Sequence, residues 1–122
     1  MDKQELLKAV YQAFNSRDIE TVLAMLHPDV DWPNGMEGGR EIGHDAVRAY
    51  WTRQWLVVDP HVEPVGFSKD SEGRVVVDVH QVVKDLGGKE IMNVQIVHKY
   101  TIEAGKIRRM EIEAAGGPEA GN

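Results

Sequence analysis

The chain contains no cysteine, so a disulfide framework, a thiolate metal site and a cysteine nucleophile are all excluded. It also lacks long apolar runs. Nothing approaches the roughly 20 consecutive apolar residues that cross a bilayer, and the opening MDKQELLKAV has no small-residue cleavage pattern. A cytoplasmic protein with no membrane partner is expected. Basic residues are outnumbered 14 to 20, giving a net charge of −6, which argues against a nucleic-acid partner. The one local basic cluster, Lys106, Arg108 and Arg109, alternates with apolar residues as a solvated strand face does. Internal repeats, linkers and low-complexity blocks are absent as well. What remains, 122 residues that are 42% hydrophobic and 28% charged, has the balance of one globular domain with a single core. It is predicted over residues 1–115, with 116–122 as a frayed tail.

Local signals order the elements. Asp2 and Glu5 form a capping-box pattern, and Leu6, Leu7, Val10, Tyr11 and Phe14 follow at helical spacing, so a first helix is predicted to end near Asn15. Asp18 is placed to cap a second helix carrying Val22, Leu23 and Leu26, closed by His27-Pro28. Val30 to Trp32 reads as a short strand running into the breaker-rich stretch WPNGMEGGR. Gly43-His44-Asp45 then leads into a third helix with a stripe of Val47, Tyr50, Trp51, Gln54 and Trp55, stopped by Asp59-Pro60. From there the period is two. Val62–Phe67, Arg74–Asp85, Met92–Ile102 and Ile107–Ala114 form an antiparallel meander, and Pro64 marks an edge or bulge.

Alternation assigns the faces of these strands. Met92, Val94, Ile96, His98, Tyr100 and Ile102 form a row that is apolar except at His98, and Val75, Val77, Val79, Gln81 and Val83 form one that is apolar except at Gln81. Both rows should point inward, as should Met110 and Ile112. His98 and Gln81 then either border a pocket or hydrogen-bond within a closed core. Trp32 is either a pocket wall or packing for Trp51 and Trp55. The glycines before the third helix lack the Gly-Lys pattern of a phosphate cradle, with Arg40 the one supporting basic residue. The opposite face, with Val76, His80, Val82 and Val97 among polar residues, reads as the interface of a homodimer. The five histidines are widely separated and suggest no metal site, no cofactor is implied, and no Gly-x-Ser-x-Gly nucleophile is present.

The order helix, helix, strand, helix, four strands, with "FNSRDIETVLAMLHPDVDW", "GHDAVRAYW" and "YTIEAGKIRRMEI" at these separations, resembles the SnoaL-like branch of the nuclear transport factor 2-like superfamily, which includes ketosteroid isomerases. The resemblance implies an α+β cone, a bent antiparallel sheet wrapped around three N-terminal helices, with a pocket at its open end and dimerisation through the outer sheet face. It also places His98 where the isomerases carry a pocket acid, the isomerase base near Asn34, and the helix-one tyrosine near Val10. Asn34 cannot abstract a proton, so ordinary isomerase chemistry is disfavoured unless Glu37 takes that place.

Two functions follow. One is an apolar pocket for an apolar or aromatic small molecule, lined by Trp32, Asn34, Trp51, Trp55, Gln81, Tyr100 and Met110, with lyase, isomerase or cyclase chemistry through His98. The other is a non-catalytic ligand-binding or dimerisation module.

Overall fold

The computed structural model of the protein describes residues 2–114; the tail expected at 116–122 lies outside them. Helix α1 spans Lys3–Asn15, and its capping box is complete: the Asp2 carboxylate accepts from the Glu5 N–H at 2.8 Å, and Glu5 accepts from the Asp2 N–H at 3.2 Å. Helix α2, Ile19–Ala24, is capped by Asp18 as expected, but it is only six residues long. Leu26 belongs instead to strand β1, Leu26–Pro33. The Ile107 N–H bonds the Met25 carbonyl at 3.0 Å and draws the chain into the sheet there. Pro28 is tolerated because it falls between the paired positions Leu26 and Asp31, where the register shifts and no ladder donor is needed.

A short strand β2, Arg40–Ile42, returns along β1 out of the glycine-rich stretch, an element too brief to show periodicity. Gly43, at φ 86°, a conformation that L side chains rarely adopt, turns the chain into helix α3, His44–Trp55. Asp59-Pro60 does not act as the helix stop. The helix ends at Leu56, and both residues lie inside strand β3, Val58–Lys69. Strands β4 (Val75–Asp85), β5 (Glu90–Glu103) and β6 (Lys106–Ala114) complete the meander.

The sheet order is β2-β1-β6-β5-β4-β3. The β3 strand is therefore an edge, where Pro60 and Pro64 cost no ladder bond on the open side, and the bulge expected at Pro64 lies between Pro64 and Gly66. The sheet is not wholly antiparallel, since β1 pairs β6 in parallel. Its curved inner face receives α1 and α3. Val77 and Val79 from β4 are fully buried there with Leu7, Val47 and Trp51 from the helices. Asn15 pins α1 to the edge strand, its amide donating to the Val62 carbonyl at 2.8 Å and accepting from the Val62 N–H at 3.0 Å.

On the outer side the basic cluster is tied to the protein itself. Lys106 donates to the Ala24 carbonyl, Arg108 to the Asp29 carbonyl, and Arg109 to Asp31, which also holds Arg40. Among the described residues, no helix is long and apolar enough to cross a membrane.

Candidate functional site

The helices do not fill the curve of the sheet. Between them lies a cavity of about 610 Å³, open at one end and lined mostly by apolar side chains, within the size range of small-molecule sites. Its inner end is built by Tyr11 from α1, Trp32 from β1, Trp51 from α3 and His98 and Tyr100 from β5. Its rim is formed by Met36, Ile91, Met92 and Ile112. The exposure of Met92 and Ile112, 47% and 43%, reflects this open end, because both border the cavity.

His98 is 5% exposed. Its Nδ1 lies 2.8 Å from the Tyr11 hydroxyl, and the Tyr100 hydroxyl donates to the Tyr11 oxygen at 2.8 Å. The Tyr11 and His98 rings lie nearly parallel, 5.9 Å apart. Burial pushes the His98 pKa down from 6.5 to about 4, and burial pushes both tyrosines well above their ordinary value. All three groups are therefore neutral at pH 7.

Both buried hydroxyls, Tyr11 at 2.8 Å and Tyr100 at 3.4 Å, face Nδ1, and satisfying them favours one tautomer. Tyr100 donates to Tyr11, so the single Tyr11 proton is free to donate to Nδ1, and the imidazole proton resides on Nε2. Reversing the chain would leave the buried Tyr100 hydroxyl proton without an acceptor, at a cost of about 1–3 kcal/mol. Nε2 has no partner among the described residues and belongs to a side chain that borders the cavity. The site thus offers a neutral N–H donor at the inner end of a mostly apolar cavity.

The other sequence-predicted residues divide. Trp32, Trp51, Gln81, Tyr100 and Met110 border the cavity together with His98. Trp51 is 1% exposed and also a core residue, with Trp32 edge-on at 5.4 Å, Phe14 at 5.5 Å and Trp55 stacked at 6.0 Å. Trp55 stands behind it, outside the cavity lining, with the Arg17 guanidinium 5.0 Å from its ring.

Asn34 is buried but does not line the cavity. Its amide donates to Glu37 and Glu41, and its oxygen accepts from the Met36 and Glu37 N–H groups, so its hydrogen-bonding capacity closes the loop. Glu37 also stays outside, paired with Arg53 at 2.9 Å; Arg53 and Asn34 hold its carboxyl below the ordinary range. His98 and Gln81 do not bond each other: His98 lies opposite Val77 and Gln81 opposite Val94.

Tyr11 is the side chain of the candidate site that sequence reasoning missed. It lies one residue beyond the position expected from the resemblance and sits in an apolar helical stripe, where a tyrosine looks like core. The available signal was its hydroxyl, which must find a partner when buried.

A curved sheet closed by helices around a mostly apolar cavity is the cone-shaped nuclear transport factor 2-like fold. The chain belongs to the SnoaL-like domain family, whose sequence profile matches residues 7–110. Three solved structures are similar to it. TerC, co-crystallised with polyporic acid, is 31% identical, with 96% of this chain and 94% of that one covered and a TM-score of 0.78. A nuclear transport factor 2-like protein from Burkholderia pseudomallei is 29% identical over 95% and 92% of the two chains, with a TM-score of 0.78. A Xanthomonas campestris protein provisionally assigned as a polyketide cyclase is 27% identical over 89% and 87%, with a TM-score of 0.73. No curated protein matches the chain at a significant level.

Proposed function

We propose that this protein binds an apolar, aromatic small molecule in its cavity, with His98 donating a hydrogen bond from Nε2 to a carbonyl-type oxygen of that molecule. The observation that carries the reading is the Tyr100–Tyr11–His98 chain, which occupies Nδ1 and leaves Nε2 of a neutral imidazole beside the mostly apolar cavity. A neutral imidazole polarises a carbonyl without first losing a charge, and exclusion of water strengthens the interaction. Similarity to TerC, which was co-crystallised with polyporic acid, supports a small-molecule ligand.

Lyase, isomerase or cyclase chemistry is the catalytic form of this reading. His98 gives its Nε2 proton to the ligand oxygen as negative charge develops there and takes it back as the step completes, while the Tyr11 hydroxyl, which burial keeps un-ionised, donates to Nδ1 throughout. Among the described residues no carboxylate lines the cavity. The base that starts such a reaction is then water or a group on the substrate itself. The same observation favours a second reading, ligand binding without turnover. The apolar residues Val76, Val82 and Val97 on the outer sheet face, beside His80, support a homodimer through that face.

The separating experiment is His98→Asn, which retains hydrogen-bonding ability but cannot shuttle a proton. Binding of aromatic ketones is followed by quenching of Trp32 and Trp51, and conversion by chromatography. Retained binding with lost conversion supports catalysis. Unchanged conversion overturns it, and failure of aromatic ketones to bind the wild-type protein overturns the binding reading.

A further inference from the structure

Gln81 is the polar feature of the cavity that the His98 chain does not use. Its side chain borders the cavity from β4, in the row otherwise made of Val75, Val77, Val79 and Val83. No protein group hydrogen-bonds its amide among the described residues, whereas the other lining amides are differently placed. Gln54 donates to Tyr50, and Gln95 belongs to the opposite row of β5, across from His80. Gln81 is half-buried, so water reaches its amide in the open cavity, and a ligand that displaces this water loses affinity unless it replaces those hydrogen bonds.

The sheet register supplies the spacing. His98 is opposite Val77 on β4, and Gln81 is four residues further along that strand, about 13 Å at strand rise. Gln81 lies opposite Val94, toward the exposed end of β5, whereas His98 and Tyr100 are buried at the other end. The two polar groups therefore mark the inner and outer ends of one apolar wall.

We infer that the ligand is an elongated aromatic molecule with two oxygen functions: a carbonyl-type acceptor held by His98 at the floor, and a hydroxyl or second carbonyl held by Gln81 nearer the mouth. The oxygens are separated by on the order of 10 Å of apolar ring system, somewhat less than the backbone spacing because both side chains reach inward. This rests on the cavity-binding reading above. Because Gln81 both donates and accepts, it takes a hydroxyl in either sense, and a ligand lacking that group leaves the amide unpaired.

The test uses the full chain and three probes, 4-acetylbiphenyl, 4-acetyl-4′-hydroxybiphenyl, and the isomer whose hydroxyl sits on the acetyl-bearing ring. Dissociation constants are read from tryptophan quenching. The 4′-hydroxy probe is expected to bind about tenfold tighter than 4-acetylbiphenyl, and the isomer to gain nothing. Gln81→Leu should erase the difference between the two probes, because it removes the amide that only the 4′-hydroxy probe satisfies, and a cooperative urea transition like that of wild type shows that the variant is folded. Equal affinities for the two main probes, or a gain that survives in Gln81→Leu, overturn the inference and leave the cavity reading standing. Failure of all three to bind overturns both.

Discussion

Lowering the pH should destabilise this protein through His98 before its surface carboxylates matter. The imidazole has an ordinary pKa of 6.5 in the unfolded chain and about 4 when folded, because burial penalises the charged form. Between these values the unfolded chain binds the proton more readily, so stability is greatest above pH 6.5 and declines toward pH 4. A difference of about 2.5 units at about 1.4 kcal/mol each is worth about 3.5 kcal/mol, a large fraction of a small domain's stability. Tyr11 and Tyr100, its hydrogen-bond neighbours, remain neutral throughout and cannot offset the incoming charge. The assay is urea denaturation at intervals from pH 7 to pH 4, on wild type and on His98→Asn. Glu20, Glu37 and Asp70, whose partners hold them below the ordinary carboxylate values, are common to both proteins and cancel in the difference. Wild type should lose stability more steeply between pH 6.5 and 4, by up to about 1.4 kcal/mol per pH unit. Identical slopes, or an imidazole that titrates near 6.5 by NMR, would refute the burial argument.

Trp51→Ala should cost about 3–5 kcal/mol in denaturant unfolding, since the ring is nearly inaccessible and three aromatic neighbours lose their contact. A loss near 1 kcal/mol with collapsed ligand affinity would make it chiefly a pocket wall. Val82→Glu, on the outer face, should shift sedimentation from dimer toward monomer while leaving the unfolding transition intact, because its charge enters the proposed interface rather than the core. A wild-type protein that sediments as a monomer at micromolar concentration would rule the dimer out.

The regular elements were readable where one physical signal dominated. The Asp2–Glu5 capping box announced α1, and strict alternation fixed the inward rows of β4 and β5, so that His98 and Gln81 stood out as polar interruptions. Errors arose where a local rule met a tertiary exception. Pro28 and Asp59-Pro60 read as helix stops, yet a register shift in one case and an edge strand in the other absorb proline without loss. Asn34 was misplaced because loop closure by Asx-type hydrogen bonds, which turns its amide away from the cavity, depends on Glu37 and Glu41 meeting it in space. Tyr11 shows the limit differently: the helical stripe located it, but only the fold brings a residue 87 positions away to its hydroxyl.

The parallel pairing of β1 with β6 bears on how the chain reaches this state. Leu26 meets Ile107 and Asp31 meets Arg109 across about 80 residues, and β6 lies between β1 and β5 in the sheet. Until β6 is synthesised, the β1–β2 hairpin and the β3–β4–β5 meander are two separate sheets, each with an open edge where β6 will insert. Long-range pairing of this kind is slow because the intervening loop must close before any contact rewards it. Strand β6 therefore acts as a keystone, and during synthesis the half-built cavity floor stays open, with the inner edges of β1 and β5 exposed to other chains until it arrives.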